Sequence, residues 1–96
     1  MSVKARTAGW KEFLRLCQLP DTTGGLDEIL QALLTHEEIS QLALRVELLR
    51  ALLKGEKPQR QIASDLGVSI ATITRGSNML KTIKPKLHKF LGDELA

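Results

Sequence analysis

Residues 58–78 read PQRQIASDLGVSIATITRGSN, the spacing of two short helices joined by a tight turn. Pro58 suits the first position of a helix, where its missing N–H has no partner to lose. Gly67 follows Leu66 where the chain must reverse, and glycine accepts the left-handed backbone of such a turn. Ser69 is a natural cap for a second helix over 70–81. Ala63 is small enough for two helices to cross closely, and Ile62, Leu66, Val68 and Ile73 supply a shared apolar wedge. These are the requirements of a helix-turn-helix, set at 58–80.

A helix that starts at Ile70 turns Ile73, Ser77 and Leu80 inward and leaves Ala71, Thr72, Thr74, Arg75 and Asn78 on its outer faces. Small and short polar side chains let a helix sit deep in the major groove of double-stranded DNA. Their methyls can meet thymine methyls, and their hydroxyls can reach base edges or phosphates. Charge agrees with this reading. Residues 1–56 hold seven Lys/Arg against eight Asp/Glu, whereas residues 57–90 hold seven against Asp65 alone, a net of +6. A polyanion would be drawn to that segment. Arg60, near the start of the first motif helix, is placed to reach phosphate or guanine.

The rest of the chain reads as further helices. Leu, Ile, Val and Ala are plentiful while Trp, Phe and Tyr total three, which favours packed amphipathic helices over a sheet. Residues 1–8 are small, polar and basic without a period, and are expected to form a disordered arm ahead of a single helical domain over 9–96. Trp10, Phe13, Leu14 and Cys17 predict a first helix at about 9–19. Pro20 and the stretch Asp21 to Gly25 end it. Leu26, Ile29, Leu30, Leu33 and Leu34 predict a short second helix. Thr35 and Glu38 have capping-box spacing at the head of a long third helix, about 36–54. Its stripe of Ile39, Leu42, Ala43, Val46, Leu49, Leu52 and Leu53 suits a central scaffold, and Gly55 offers its C-cap. Pro85, Leu87, Phe90 and Leu91 predict a short final helix closed by Gly92. The fold class is therefore all-α, with six helices.

No enzyme is legible in the sequence. Cys17 is the single cysteine, so an intramolecular disulfide or a cysteine-rich metal site is excluded. His36 and His88 lack ligands at metal-binding spacing, and no paired carboxylates accompany the basic segment. No apolar run approaches the roughly 20 residues of a membrane span, and the N-terminus lacks a secretory pattern, so a cytoplasmic location is expected. The competing class is a protein-interaction adaptor, in which the third helix binds a partner and the basic segment is merely solvated.

Gln59-Arg60, Leu66-Gly67 and above all the string from Ile70 to Asn78 with Leu80-Lys81 resemble the tryptophan operon repressor family. A weaker collinear likeness runs back through Lys54-Gly55-Glu56, Leu52-Leu53, Arg45-Val46, Leu34-Thr35 and Trp10. The resemblance implies an intertwined homodimer that binds L-tryptophan as corepressor and then docks two reading heads on palindromic operator DNA, repressing tryptophan-related genes. It implies that the indole lies between Arg45 and Arg75, with Arg75 also holding the ligand carboxylate. Thr35 of the partner subunit would be close enough to assist, Ala32 would line the pocket or expose backbone to it, and Gly76 and Met79 would lie beside it. Met79 stands where the family has a serine that accepts from the ligand ammonium, and Ala63 stands where the family has a lysine. The implied DNA contacts are Gln59, Arg60, Ile70, Ala71, Thr72, Thr74, Asn78 and Lys81. The nearest alternative is a DNA-binding regulator of the same fold with another effector or none.

Overall fold

The computed structural model describes residues 1–19 and 25–96. Among them lie six α-helices: α1 (Val3–Cys17), α2 (Leu26–Leu33), α3 (His36–Lys54), α4 (Gln59–Leu66), α5 (Ile70–Thr82) and α6 (Pro85–Leu95). The expected break at Pro20 to Gly24 lies outside the described residues. The chain divides into two compact units, Met1–Ile39 and Ser40–Ala96.

The first unit holds α1, α2 and the head of α3. α1 begins at Val3, six residues before the expected start, so residues 3–8 are helical where an irregular arm was expected. The reason is local: the Ser2 hydroxyl accepts from the Ala5 N–H at 3.1 Å and caps the helix. Trp10 and Phe13, one turn apart, stack with ring centroids 5.5 Å apart. The capping box forms as expected. Glu38 N–H donates to the Thr35 hydroxyl at 3.1 Å, and Thr35 N–H donates to the Glu38 carboxylate at 2.8 Å. No described residue of this unit is buried.

The second unit holds the core. Leu48, Ile62, Ala63 and Ile73 are buried, with Leu49, Ala51, Leu52, Leu66 and Val68 packed around them. The wedge expected within the helix-turn-helix is present, and α4 packs chiefly on α5. Its third wall is Leu48 of α3, a residue outside the stripe expected there. Leu42 and Val46 of that stripe are exposed instead. α3 is apolar on more than one side, so periodicity alone does not single out the face carrying Leu48.

Two helix ends differ from expectation. Pro58 is not the first helical residue of α4 but its N-cap, in extended backbone with ψ 156°, and its carbonyl accepts from Gln61 and Ile62. Gly92 does not close α6, which runs on to Leu95. The Arg50 guanidinium on α3 donates through Nε to the Leu95 carbonyl at 3.0 Å, so a tertiary bond holds the last turn past the glycine.

Candidate functional site

The turn between α4 and α5 fixes how the second helix is presented. Gly67 takes the left-handed conformation at φ 67°, and the Val68 N–H donates to the Ala63 carbonyl at 3.0 Å, closing α4. Ser69 then caps α5, its hydroxyl accepting from the Thr72 N–H at 3.2 Å. Ile73 is 0% exposed and anchors the helix on the core. With that side pinned inward, Ile70, Ala71, Thr74, Asn78 and Lys81 are exposed, and so is Arg60 on α4. Gln59 and Thr72 are partly buried. The Thr74 hydroxyl donates to the Ile70 carbonyl at 3.0 Å, so what it offers outward is a methyl and acceptor lone pairs. The Thr72 hydroxyl lies 3.0 Å from that of Ser69.

Lys57 donates to Asp65 at 2.8 Å, and this bond raises its pKa and lowers that of Asp65, with a second bond from Gln61 to Asp65 adding to the effect. Arg60, Arg75 and Lys81 make no ion pair among the described residues. The cations on the outer face are thus available to an outside partner.

Beside this face lies a cleft of about 380 Å³ formed by α3 and α5. Arg45 comes from α3, and Thr72, Arg75, Gly76, Asn78, Met79 and Thr82 from α5. Four of the six residues expected at a ligand therefore converge. Thr72 and Asn78, expected on the DNA side, border the cleft as well. Thr82 is not among the residues expected there, although it follows Arg75 and Met79 at helical spacing, which is the signal that points to it. Its hydroxyl donates to the Met79 carbonyl at 2.8 Å. Ala32 and Thr35 belong to the first unit, on α2 and at the cap of α3.

The cleft has a definite chemical character. Two guanidiniums border it and no carboxylate does, so it suits an anion. Guanidinium planes also stack on aromatic faces, so a flat aromatic carboxylate can satisfy both properties at once. Gly76 is more than a neighbour of the cleft. It is buried, and a Cβ built on it would lie 2.3 Å from Leu48 Cδ2. Its lack of a side chain is what lets α5 approach α3 and brings Arg75 and Arg45 to one opening. Ala63 is buried in the core, so this chain presents no cation from that position.

Comparison with known proteins finds relatives along nearly the whole chain. The model of the family described as Trp repressor protein matches residues 8–95, a span that includes every residue named in the cleft and on the outer face. The chain is 43% identical over 88 residues to the Trp operon repressor homolog of Chlamydia trachomatis serovar D, covering 92% of this chain and 94% of that one. It is 38% identical over 86 residues to the homolog of Pasteurella multocida, covering 90% and 84%. The homolog of Haemophilus influenzae strain PittEE is 34% identical over 95 residues, covering 99% and 94%. These alignments run nearly end to end, so the likeness is not confined to the helix-turn-helix.

Proposed function

Because this chain belongs to the Trp repressor family, we propose that it is a tryptophan-dependent repressor that reads palindromic operator DNA as a homodimer. It is a DNA-binding transcription regulator and not an enzyme. The observation that carries the ligand half of the proposal is the meeting of Arg45 and Arg75 at one cleft on the flank of the exposed reading helix. In this reading L-tryptophan places its indole between the two guanidiniums and its carboxylate on Arg75. Ala32 and Thr35 of the partner subunit complete the site.

The same helix then serves two surfaces. Ile70, Ala71, Thr72 and Thr74 meet base edges, while Gln59, Arg60, Asn78 and Lys81 hold the backbone or neighbouring bases. Arg75, Gly76 and Met79 face the ligand. A ligand bound there biases the reading heads toward the separation that matches successive major grooves, so DNA affinity follows a shift between pre-existing populations. Tryptophan-related genes are the regulatory targets this implies.

Calorimetry with L-tryptophan on the wild type and on Arg75→Ala tests the proposal. A charge-assisted hydrogen bond contributes about 1.5–3 kcal/mol, so the substitution should weaken binding roughly 10- to 100-fold. A palindromic duplex selected by the wild type from a random library should then bind tightly only with tryptophan present. Equal binding with and without the ligand would sink the switch. Met79 favours a second reading, a regulator of the same fold with another effector or none. Its thioether is a poor acceptor for an ammonium group. Absence of any heat with the wild type, alongside salt-sensitive DNA binding, is the result that reading expects.

A further inference from the structure

From residue 66 to residue 92 the chain has no acidic side chain, and over that interval it carries Arg75, Lys81, Lys84, Lys86 and Lys89. Two cations of the basic segment are internally paired at 2.8 Å, Lys57 with Asp65 and Lys89 with Asp93. Lys81, Lys84 and Lys86 are exposed and make no ion pair among the described residues. Lys84 is the N-cap of α6, Lys86 is its second residue, and no acidic residue occupies the first turn. Aligned peptide dipoles already leave positive partial charge at that end, so both lysines oppose their own helix. Local rules of this kind are broken chiefly at functional sites, and a polyanion at that helix end would offset the cost.

α6 borders the same hollow as two residues assigned to DNA, and Lys84 and Lys86 flank Pro85, one of the residues lining it. A single shallow hollow of about 700 Å³ is bordered by Gln59, Lys81, Pro85 and Lys89. Gln59 and Lys81, both assigned to DNA, thus share a rim with Pro85 and Lys89 of α6, all within the second unit. We propose that Lys84 and Lys86 contact duplex phosphates flanking the bases read by α5, so that each reading head grips more DNA than its helix-turn-helix alone would reach. The inference rests on the DNA-binding reading given above. Lysine acts on phosphate as a point charge, so these contacts strengthen binding to operator and unrelated duplex alike.

The test uses the full chain and a Lys84→Gln/Lys86→Gln variant, with anisotropy titrations on the selected palindromic duplex and on a shuffled duplex between about 50 and 200 mM salt. Each lost phosphate contact removes about 0.9 from the slope of log affinity against log salt. The double variant should therefore lose about 1.8 per reading head, and Lys86→Gln alone about half of that. Over this fourfold rise in salt the wild type should weaken about 12-fold more per head than the double variant. The shift should be equal on both duplexes, with tryptophan binding unchanged, and Lys84→Arg/Lys86→Arg should keep the wild-type slope. A wild-type slope in both glutamine variants overturns the inference, as does a loss confined to the selected duplex. A wild type that binds neither duplex overturns the DNA-binding reading itself.

Discussion

Gly76 and Leu48 meet so closely that a Cβ on the glycine would clash, and each constrains what the other can be. Leu48 is 1% exposed and is held among Ile62, Ala63 and Ile73, so it has no free direction in which to yield. Gly76→Ala should therefore behave as overpacking and cost about 1–3 kcal/mol in urea unfolding. Leu48→Ala alone should cost about 2–5 kcal/mol through the cavity it leaves. Adding Gly76→Ala to Leu48→Ala should then be nearly neutral, a coupling that a double-mutant cycle detects. Additive losses would show that the alanine methyl disturbs something other than Leu48. This contact was only half legible in the sequence. The glycine stood out, but it read as a ligand neighbour, because nothing in a one-dimensional pattern says which of several apolar faces on α3 it meets.

At the level of the helices, the ends written in side-chain chemistry were readable and the ends set by tertiary contact were not. Ser69, Gly67 and the Thr35–Glu38 box behave as their residue types dictate. The continuation of α6 past Gly92 depends on Arg50, forty-five residues away from Leu95 in sequence, and no local rule supplies it. The outer face of α5 was legible because Ile73 fixes its rotation, while Thr82 lies one residue beyond the expected end of the helix at 81. The link from Lys57 to Asp65 ties the loop before α4 to its last turn. Asp65 has a lowered pKa, so its stabilising effect is present above the ordinary aspartate value of about 3.9 and is lost as pH falls through the depressed folded value. Wild type should melt higher than Asp65→Asn at neutral pH, with the gap closing below about pH 4. Because the pair is exposed, the gap should also shrink in high salt. A gap that widened on acidification would contradict this assignment.

On the scale of the whole chain, the two units are unequally provided for. The second has a core that belongs to it, whereas the first carries Val3, Trp10, Leu14, Leu26 and Leu33 on its surface and buries none of its described residues. Helices of this length are marginal in water without a packed face. The proposed homodimer supplies one, and its signature is a melting temperature that climbs with protein concentration. Differential scanning calorimetry over a hundredfold range of concentration reads this directly, and an invariant midpoint would argue for a folded monomer. No helix among the described residues is long and apolar enough to cross a membrane, so the apolar face of the first unit is not that of a spanning segment.

The uncovered first unit also bears on turnover. A newly made subunit that has not met its partner would display helices α1 and α2 with little to keep them closed, and open helices are what proteases cut. Pairing would then act as the step that spares a subunit from degradation.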